Sequence, residues 1–371
     1  MTHTSEVKQI KVCLVAISLS DGGAERSTAL LSKMLTNEGF DVHLAIINNK
    51  IDYDYSGSLF ALGDEKKTLG FVSTFFRLIR FRFYLKKNAF DIIIDNRTRS
   101  TSLKELVYSR YLYRGMRILY VIRSASLPMY FPKSKWVVKK QSRNAAKYIA
   151  VSKAIVEKVR KNYSISNCTS IYNPVPMAKI RTLSEQIIDT VSGDYIIAMG
   201  RLDEAVKNYS LLIDSYQLSK LSENNIGLKI LGKGPDEQSI KEIINQKGLD
   251  DLVKVIPFTS NPFPWLKKAR FTVLTSRFEG FPRVLIESLA VGTPVLSVDC
   301  KTGPSEIIQS GVNGLLVPNN NSLELANAMN NLIFDKDLYR SFKNNAVDSV
   351  SHLDIDKISK EWKQLIQDEL S

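Results

Sequence analysis

Two carboxylates stand eight residues apart in FTVLTSRFEGFPRVLIESLAVGTPVLSVDCKTGPSEII, residues 271–308. A strand-like run ends at Ser276, and a short loop then carries Glu279, Gly280 and Phe281. Pro282 fits a first helical position, where its missing N–H costs nothing. Glu287 follows inside the helix, so both carboxylates can face one side. The exposed backbone of Phe281, Pro282, Arg283 and Val284 points the same way and can meet phosphate oxygens. A carboxylate accepts hydroxyl hydrogen bonds bidentately, which suits vicinal hydroxyls of a sugar or ribose. The competing interpretation is an acidic helix N-terminus, which is common and stabilising in its own right.

A second group lies upstream, where YIIAMG runs into RLDEAVKNYSLLIDSY. Arg201 and Lys207 are six positions apart next to a helix start. Two fixed cations there suit a diphosphate and would stabilise it as a leaving group, although either could be an ordinary surface cation. LKILGKGPDEQSI follows, with Gly232 and Gly234 ending a strand and leaving room for a flat ring or a sugar. The strand VKVIPF closes at Phe258, where backbone groups could read a base edge or simply end a buried strand. Near the N-terminus, Gly22 and Gly23 sit at a strand-to-helix turn that brings bare N–H groups toward an anion. G-x-G-x-x-G is absent, so this is not a standard dinucleotide loop.

These groups need a scaffold, and the apolar runs supply one. VCLVAI (12–17), VHLAII (42–47), DIIIDN (91–96), ILYVIR (118–123) and YIAVS (148–152) alternate with helical stretches in the first half. YIIAMG (195–200), LKILG (228–232), VKVIPF (253–258), FTVLTS (271–276), PVLSVD (294–299) and GLLVP (314–318) do so in the second. Continuous Val/Ile/Leu runs between helices describe strands covered on both faces. We therefore expect an α/β protein of two doubly wound, parallel-sheet, Rossmann-like domains, residues 1–185 and 186–350, with a cleft between them. The linker is expected within 182–194. A last helix, DKISKEWKQLIQDEL, is expected to make 351–371 return to the first domain.

Taken in order, these motifs resemble family 4 retaining glycosyltransferases of the GT-B fold. The resemblance rests on the E-x7-E pair Glu279 and Glu287, a GGAE-like loop at Gly22–Glu25, and the GRL…K segment Gly200–Lys207. It also includes a GxGP turn at Gly232–Pro235 and a G-x-x-E loop at Gly303–Glu306. It covers residues from about 11 to about 345. It implies that Arg201 and Lys207 hold a diphosphate, Glu287 the ribose hydroxyls and Glu279 the donor sugar, with Gly22 and Gly23 closing over the phosphate and acceptor. It also implies sugar transfer with retention and without a bound metal or other cofactor. The sequence carries no Asp-x-Asp metal motif of the other main glycosyltransferase fold. Many members carry a histidine after the fourth strand; here YVIRSASLP puts Arg123 and Ser124 on that acceptor-side position. The donor implied is a UDP-sugar carrying a hexose or N-acetylhexosamine. The product implied is a bacterial lipid-linked glycan, lipopolysaccharide or capsule.

Composition narrows the rivals. The 371 residues are 44 % hydrophobic and 24 % charged, ordinary for a folded protein. Cys13, Cys168 and Cys300 share no metal-ligand spacing, which suggests reduced thiols and a cytoplasmic setting. No run of about 18 apolar residues could span a bilayer. The net charge of +13 is uneven: residues 1–185 hold 31 Lys+Arg against 14 Asp+Glu, and residues 186–371 hold 20 against 24. Residues 71–161 hold 22 Lys+Arg and four acids, with aromatics interleaved in FVSTFFRLIRFRFYLKK and YSRYLYRGMR. Arg77, Arg80, Tyr84 and Lys87 would share one helical face. Such a helix can lie in the interface of an anionic bilayer, which predicts a peripheral protein on the inner face of the cytoplasmic membrane. A non-catalytic nucleic-acid binder would need a reader motif or stacking platform, and none is present. A sugar-nucleotide epimerase of the same fold is the remaining enzymatic alternative, and the E-x7-E pattern speaks against it.

Overall fold

The structure, a computed structural model, describes residues 9–20, 22–63, 71–187, 193–300 and 302–371, with side chains of the helix starting at Phe71 described from residue 75. The chain forms two compact units. The first comprises Met1–Asn173 and Asp356–Ser371, and the second Pro174–Ile355.

The first unit is built on seven parallel strands: β1 (Lys11–Ala16), β2 (Asp41–Ile46), β3 (Ser58–Ala61), β4 (Ile92–Asp95), β5 (Ile118–Ile122), β6 (Lys147–Ala150) and β7 (Cys168–Ser170). Their spatial order is β3-β2-β1-β4-β5-β6-β7. Val12 pairs with both Val42 and Ile92, and Leu14 with Leu44 and Ile94. These side chains are wholly buried except Val42, at 3 %. Each such aliphatic side chain stabilises by about 1.5–3 kcal/mol when removed from water. The apolar runs of the sequence mark β1, β2, β4, β5 and β6. β3 and β7 carry no such run: SLFA and CTS are short strands at the two sheet edges, where one neighbour is missing and polar residues are tolerated.

The second unit holds six parallel strands: β8 (Tyr195–Met199), β9 (Gly227–Gly232), β10 (Val253–Pro257), β11 (Thr272–Leu274), β12 (Val295–Asp299) and β13 (Gly314–Pro318). Their order is β10-β9-β8-β11-β12-β13. In each unit the order reverses beside the first strand, between β1 and β4 and between β8 and β11. Open parallel sheets bind ligands beyond the carboxyl ends of the strands at such a reversal.

The division between units falls at Asn173–Pro174, ahead of the 182–194 segment read as a linker; 188–192 lie outside the described residues. The helix Met177–Ser184 belongs to the second unit because it packs on the helices Phe263–Lys268 and Arg283–Ala290. Asn261 Nδ2 donates to the Leu183 carbonyl at 3.0 Å, and Lys267 pairs with Glu185. The last helix, Ile355–Leu370, joins the first unit from Asp356 onward. There Lys363 pairs with Glu38 at 3.0 Å, and Lys147 pairs with Glu369.

A buried charge cluster fixes the end of β4. Arg97 meets Asp95 at 2.7 Å and Glu105 at 3.3 Å, and its guanidinium lies 3.5 Å from the centre of the Tyr108 ring. Tyr113 donates to Asp95, and Gln141 Nε2 to Glu105. Arg99 donates to the carbonyls of Asp95, Arg97 and Val121, tying β4 to β5. Burial pushes Asp95 upward, but the adjacent Arg97 and Arg99 outweigh it and hold the carboxyl below its ordinary range. At Glu105 burial wins over Arg97 and the carboxyl is pushed up.

Candidate active site

In the second unit the ends of β8 and β11 are sewn together. Thr275 Oγ1 donates to the Lys207 carbonyl at 2.9 Å, and the Arg277 N–H to the Val206 carbonyl at 2.8 Å. Lys207 ends a one-turn helix, Glu204–Lys207, whose first N–H is capped by Asp236 Oδ2 at 2.7 Å. Asn208 follows at φ 56°, a conformation asparagine tolerates, and starts the next helix. This bend directs the Lys207 side chain toward the β11 loop. Its Nζ lies 2.6 Å from Glu279 Oε1, with both side chains largely buried. Ser276 Oγ donates to the same oxygen at 2.7 Å. Thr302 Oγ1 donates to the Glu279 carbonyl at 2.5 Å, so the loop after β12 clamps the backbone as well.

Glycines make the close approaches possible. Gly303, at φ +92°, lies against Gly280 and Pro282, where a Cβ would crowd the Pro282 ring. A Cβ on Gly232 would collide with the Gly200 carbonyl oxygen, and one on Gly234 with the Leu202 backbone. The Leu202 N–H donates to the Lys233 carbonyl at 3.0 Å across that contact. The motif glycines therefore let the β8 and β9 loops touch backbone to backbone.

The remaining predicted residues of the second unit have other neighbours. Arg201 is exposed on the β8 loop, with Tyr209 donating to its carbonyl at 3.3 Å. Glu287 is 5 % exposed and lies 3.4 Å from Arg283, one helical turn earlier. Pro282 is the N-cap, so the helix begins at Arg283, one residue later than its sequence suggests. Phe281 and Val284 are buried. Phe258 is exposed, with Lys233 Nζ 5.1 Å from its ring centre. Lys207 and Glu279 are thus brought into direct contact, while Glu287 pairs with Arg283. The sequence reading did not mark Ser276 or Thr302; serine and threonine at loop ends carry no spacing signal.

In the first unit, Gly22 caps the helix Gly23–Asn37, and the Glu25 carboxylate lies against it. Arg123 follows β5 and donates to Asn96 Oδ1 and, at 3.1 Å, to Asn173 Oδ1. Ser124 Oγ accepts from the Ser126 N–H at 3.2 Å. Burial pushes the nearby Tyr130 hydroxyl up, against the opposing charge of Arg123.

On the helix Phe71–Asn88, Arg80 and Lys87 of the expected face are exposed, while Arg77 and Tyr84 are half-buried. Tyr84 stacks on Phe60 of β3 at 3.9 Å and hydrogen-bonds His43 Nδ1 at 2.8 Å, and Arg80 lies over the same Phe60. Tyr84 therefore packs on the sheet edge, beside the fully buried Phe81 and Leu85 of the same helix. Outward stand Phe75, Phe76 and Phe83, at 55 %, 64 % and 66 % exposure.

Comparison with known proteins agrees with this architecture. Residues 182–348 match the family described as glycosyl transferases group 1, and residues 21–179 match glycosyltransferase family 4. The chain belongs to the family 4 glycosyltransferases of the GT-B fold. It is 29 % identical to the N-acetylgalactosamine-N,N'-diacetylbacillosaminyl-diphospho-undecaprenol 4-alpha-N-acetylgalactosaminyltransferase of Campylobacter jejuni, over 95 % of this chain and 98 % of that one. It is 30 % identical to the lipopolysaccharide 1,6-galactosyltransferase of Escherichia coli over 46 % of this chain and 47 % of that one. Among solved structures it resembles Anabaena HepE in complex with UDP, with a TM-score of 0.76, 19 % identity, and 97 % and 100 % of the two chains covered.

Proposed function

We propose that the protein transfers a hexose or N-acetylhexosamine from a UDP-sugar to a lipid-linked glycan, lipopolysaccharide or capsule acceptor, with retention and without a metal or other cofactor. The observation that carries this is the Lys207–Glu279 pair at the β8/β11 reversal, 2.6 Å apart and backed by Ser276 and Thr302. A preorganised cation there offsets charge as the diphosphate departs, with little reorganisation. Arg201, exposed on the same loop, supplies a second charge. Glu279, released from Lys207 by the arriving phosphate, is free to accept sugar hydroxyls. Buried Glu287 serves the ribose. The Campylobacter relative's printed name, with its diphospho-undecaprenol acceptor, supports a polyprenyl-diphosphate-linked glycan as first choice. The test is transfer screened over UDP-, GDP- and ADP-sugars, with product anomers assigned by NMR and activity compared with and without EDTA. Transfer from a UDP-sugar, anomeric configuration kept and EDTA without effect, is the expected result. An inverted product or EDTA-sensitive turnover would refute those parts.

The same reading places the protein on the inner face of the cytoplasmic membrane. No helix among the described residues is long and apolar enough to cross a bilayer. The exposed Phe75, Phe76 and Phe83, among the cations of residues 71–161, instead suit an anionic membrane surface. Sedimentation with phosphatidylglycerol liposomes should fall steeply with salt, and Phe76→Ser/Phe83→Ser should weaken it by about 10-fold or more. Equal binding to neutral liposomes, or none to either, would sink the membrane placement alone.

A further inference from the structure

Asn96 follows β4 at the reversal of the first sheet, and its backbone N–H donates to the Val15 carbonyl of β1 at 2.8 Å. β1 and β4 end side by side there, where ligands of parallel sheets gather. The side chain is 6 % exposed. Its orientation follows from its neighbour. Arg123 reaches Oδ1 through Nη2 at 2.7 Å and Nε at 3.2 Å, and a guanidinium offers no acceptor to an amide NH2. Oδ1 must therefore face Arg123, and Nδ2 must face away. Asn173 holds the other side of the guanidinium at 3.1 Å, so the pair is braced against rotation. Nδ2 is buried and has no hydrogen-bond partner among the described residues. A buried donor left unpaired is destabilising, so a partner that arrives with a ligand is favoured there. The buried cluster behind β4 holds the strand end in place while leaving this donor without a partner.

We propose that Asn96 Nδ2 donates to a hydroxyl oxygen of the acceptor sugar, making Asn96 an acceptor-binding residue of the transfer. Arg123 then acts as the positioning residue that fixes the amide. The proposal rests on the transfer reading above and extends its acceptor side to a residue with no motif.

Asn96→Asp tests it with little change of shape. The carboxylate still accepts from Arg123 but presents an oxygen where the donor stood. With a polyprenyl-diphosphate-linked N-acetylgalactosamine disaccharide as probe, kcat/KM for the acceptor should fall about 10- to 100-fold. UDP affinity, donor hydrolysis by water and melting temperature should stay at wild-type values. Unchanged transfer overturns the proposal. So does an equal loss of transfer and donor hydrolysis with lowered melting temperature, which would mark a structural role. A wild type that transfers to no glycan counts against the underlying reading instead. Asparagine-selective 15N labelling reads the same contact without turnover. The Asn96 side-chain amide pair, identified by its loss in Asn96→Asp, should move when the glycan probe is added. A pair that stays in place at saturating probe overturns the proposal.

Discussion

Glu279→Gln is expected to lower sugar transfer by about 100-fold or more while UDP affinity stays within a few-fold of wild type. Glutamine keeps the shape and can still accept from Ser276. What it loses is the charge that faces Lys207 at 2.6 Å. Lys207 without its partner is freer to meet a phosphate, so nucleotide binding does not suffer. The sugar, in contrast, loses a charged acceptor for its hydroxyls, and such bonds are roughly twice as strong as neutral ones. Lys207→Met should behave differently, weakening UDP binding as well as turnover. It also leaves Glu279 facing the incoming diphosphate with its charge uncompensated. Because the two side chains touch, the double variant should be less impaired than the sum of the single effects. Isothermal titration with UDP beside transfer rates separates the two roles. Unchanged turnover in Glu279→Gln would remove it from the mechanism.

Arg97→Met is expected to be the most destabilising single change in the first unit, by about 3–5 kcal/mol at neutral pH. It strands two buried carboxylates, Asp95 and Glu105, which Arg97 now bridges. The pH dependence has a definite sign. In the wild type, the depressed Asp95 carboxyl contributes stability above the ordinary carboxylate range, and that stability is lost as pH falls. In the variant, burial acts with less opposition and raises Asp95 above its unfolded value. Its penalty is then present at neutral pH and relieved as the group protonates. The gap between the two proteins should therefore narrow on acidification. Urea melts at neutral and acidic pH measure this; a constant gap would show that the cluster is not held by charge. Such a variant should also loosen Asn96, which follows Asp95 directly.

The strand framework was largely legible because burial on both faces demands unbroken apolar runs. All six strands of the second sheet carry one. Those without, SLFA and CTS, lie at sheet edges where that demand lapses. The glycine motifs of the second unit were legible because a tight turn and close loop contact require glycine at Gly232 and Gly303. The partners that hold Glu279 were not, since Ser276 and Thr302 act through fold-dependent proximity. The Asp95–Arg97–Glu105 cluster was hidden for a related reason. DNRTRS reads as a polar loop, and only the fold reveals that two of its arginines are buried. The helix Phe71–Asn88 shows the limit of periodicity. Its basic face was visible, but which side meets the sheet was decided by Phe60 and His43, distant in sequence.

The three cysteines all lie inside the core. Burial pushes the thiols of Cys168 and Cys300 up to about 12, and that of Cys13 still higher. Thiolate is the reactive form, so the native sulfurs are poor targets for maleimides and mild oxidants. The chain thus behaves as its own cysteine-free background for labelling. A single cysteine introduced at Phe83 or Phe76 can carry an environment-sensitive dye without removing any native residue, and its emission reports directly whether that helix enters a bilayer.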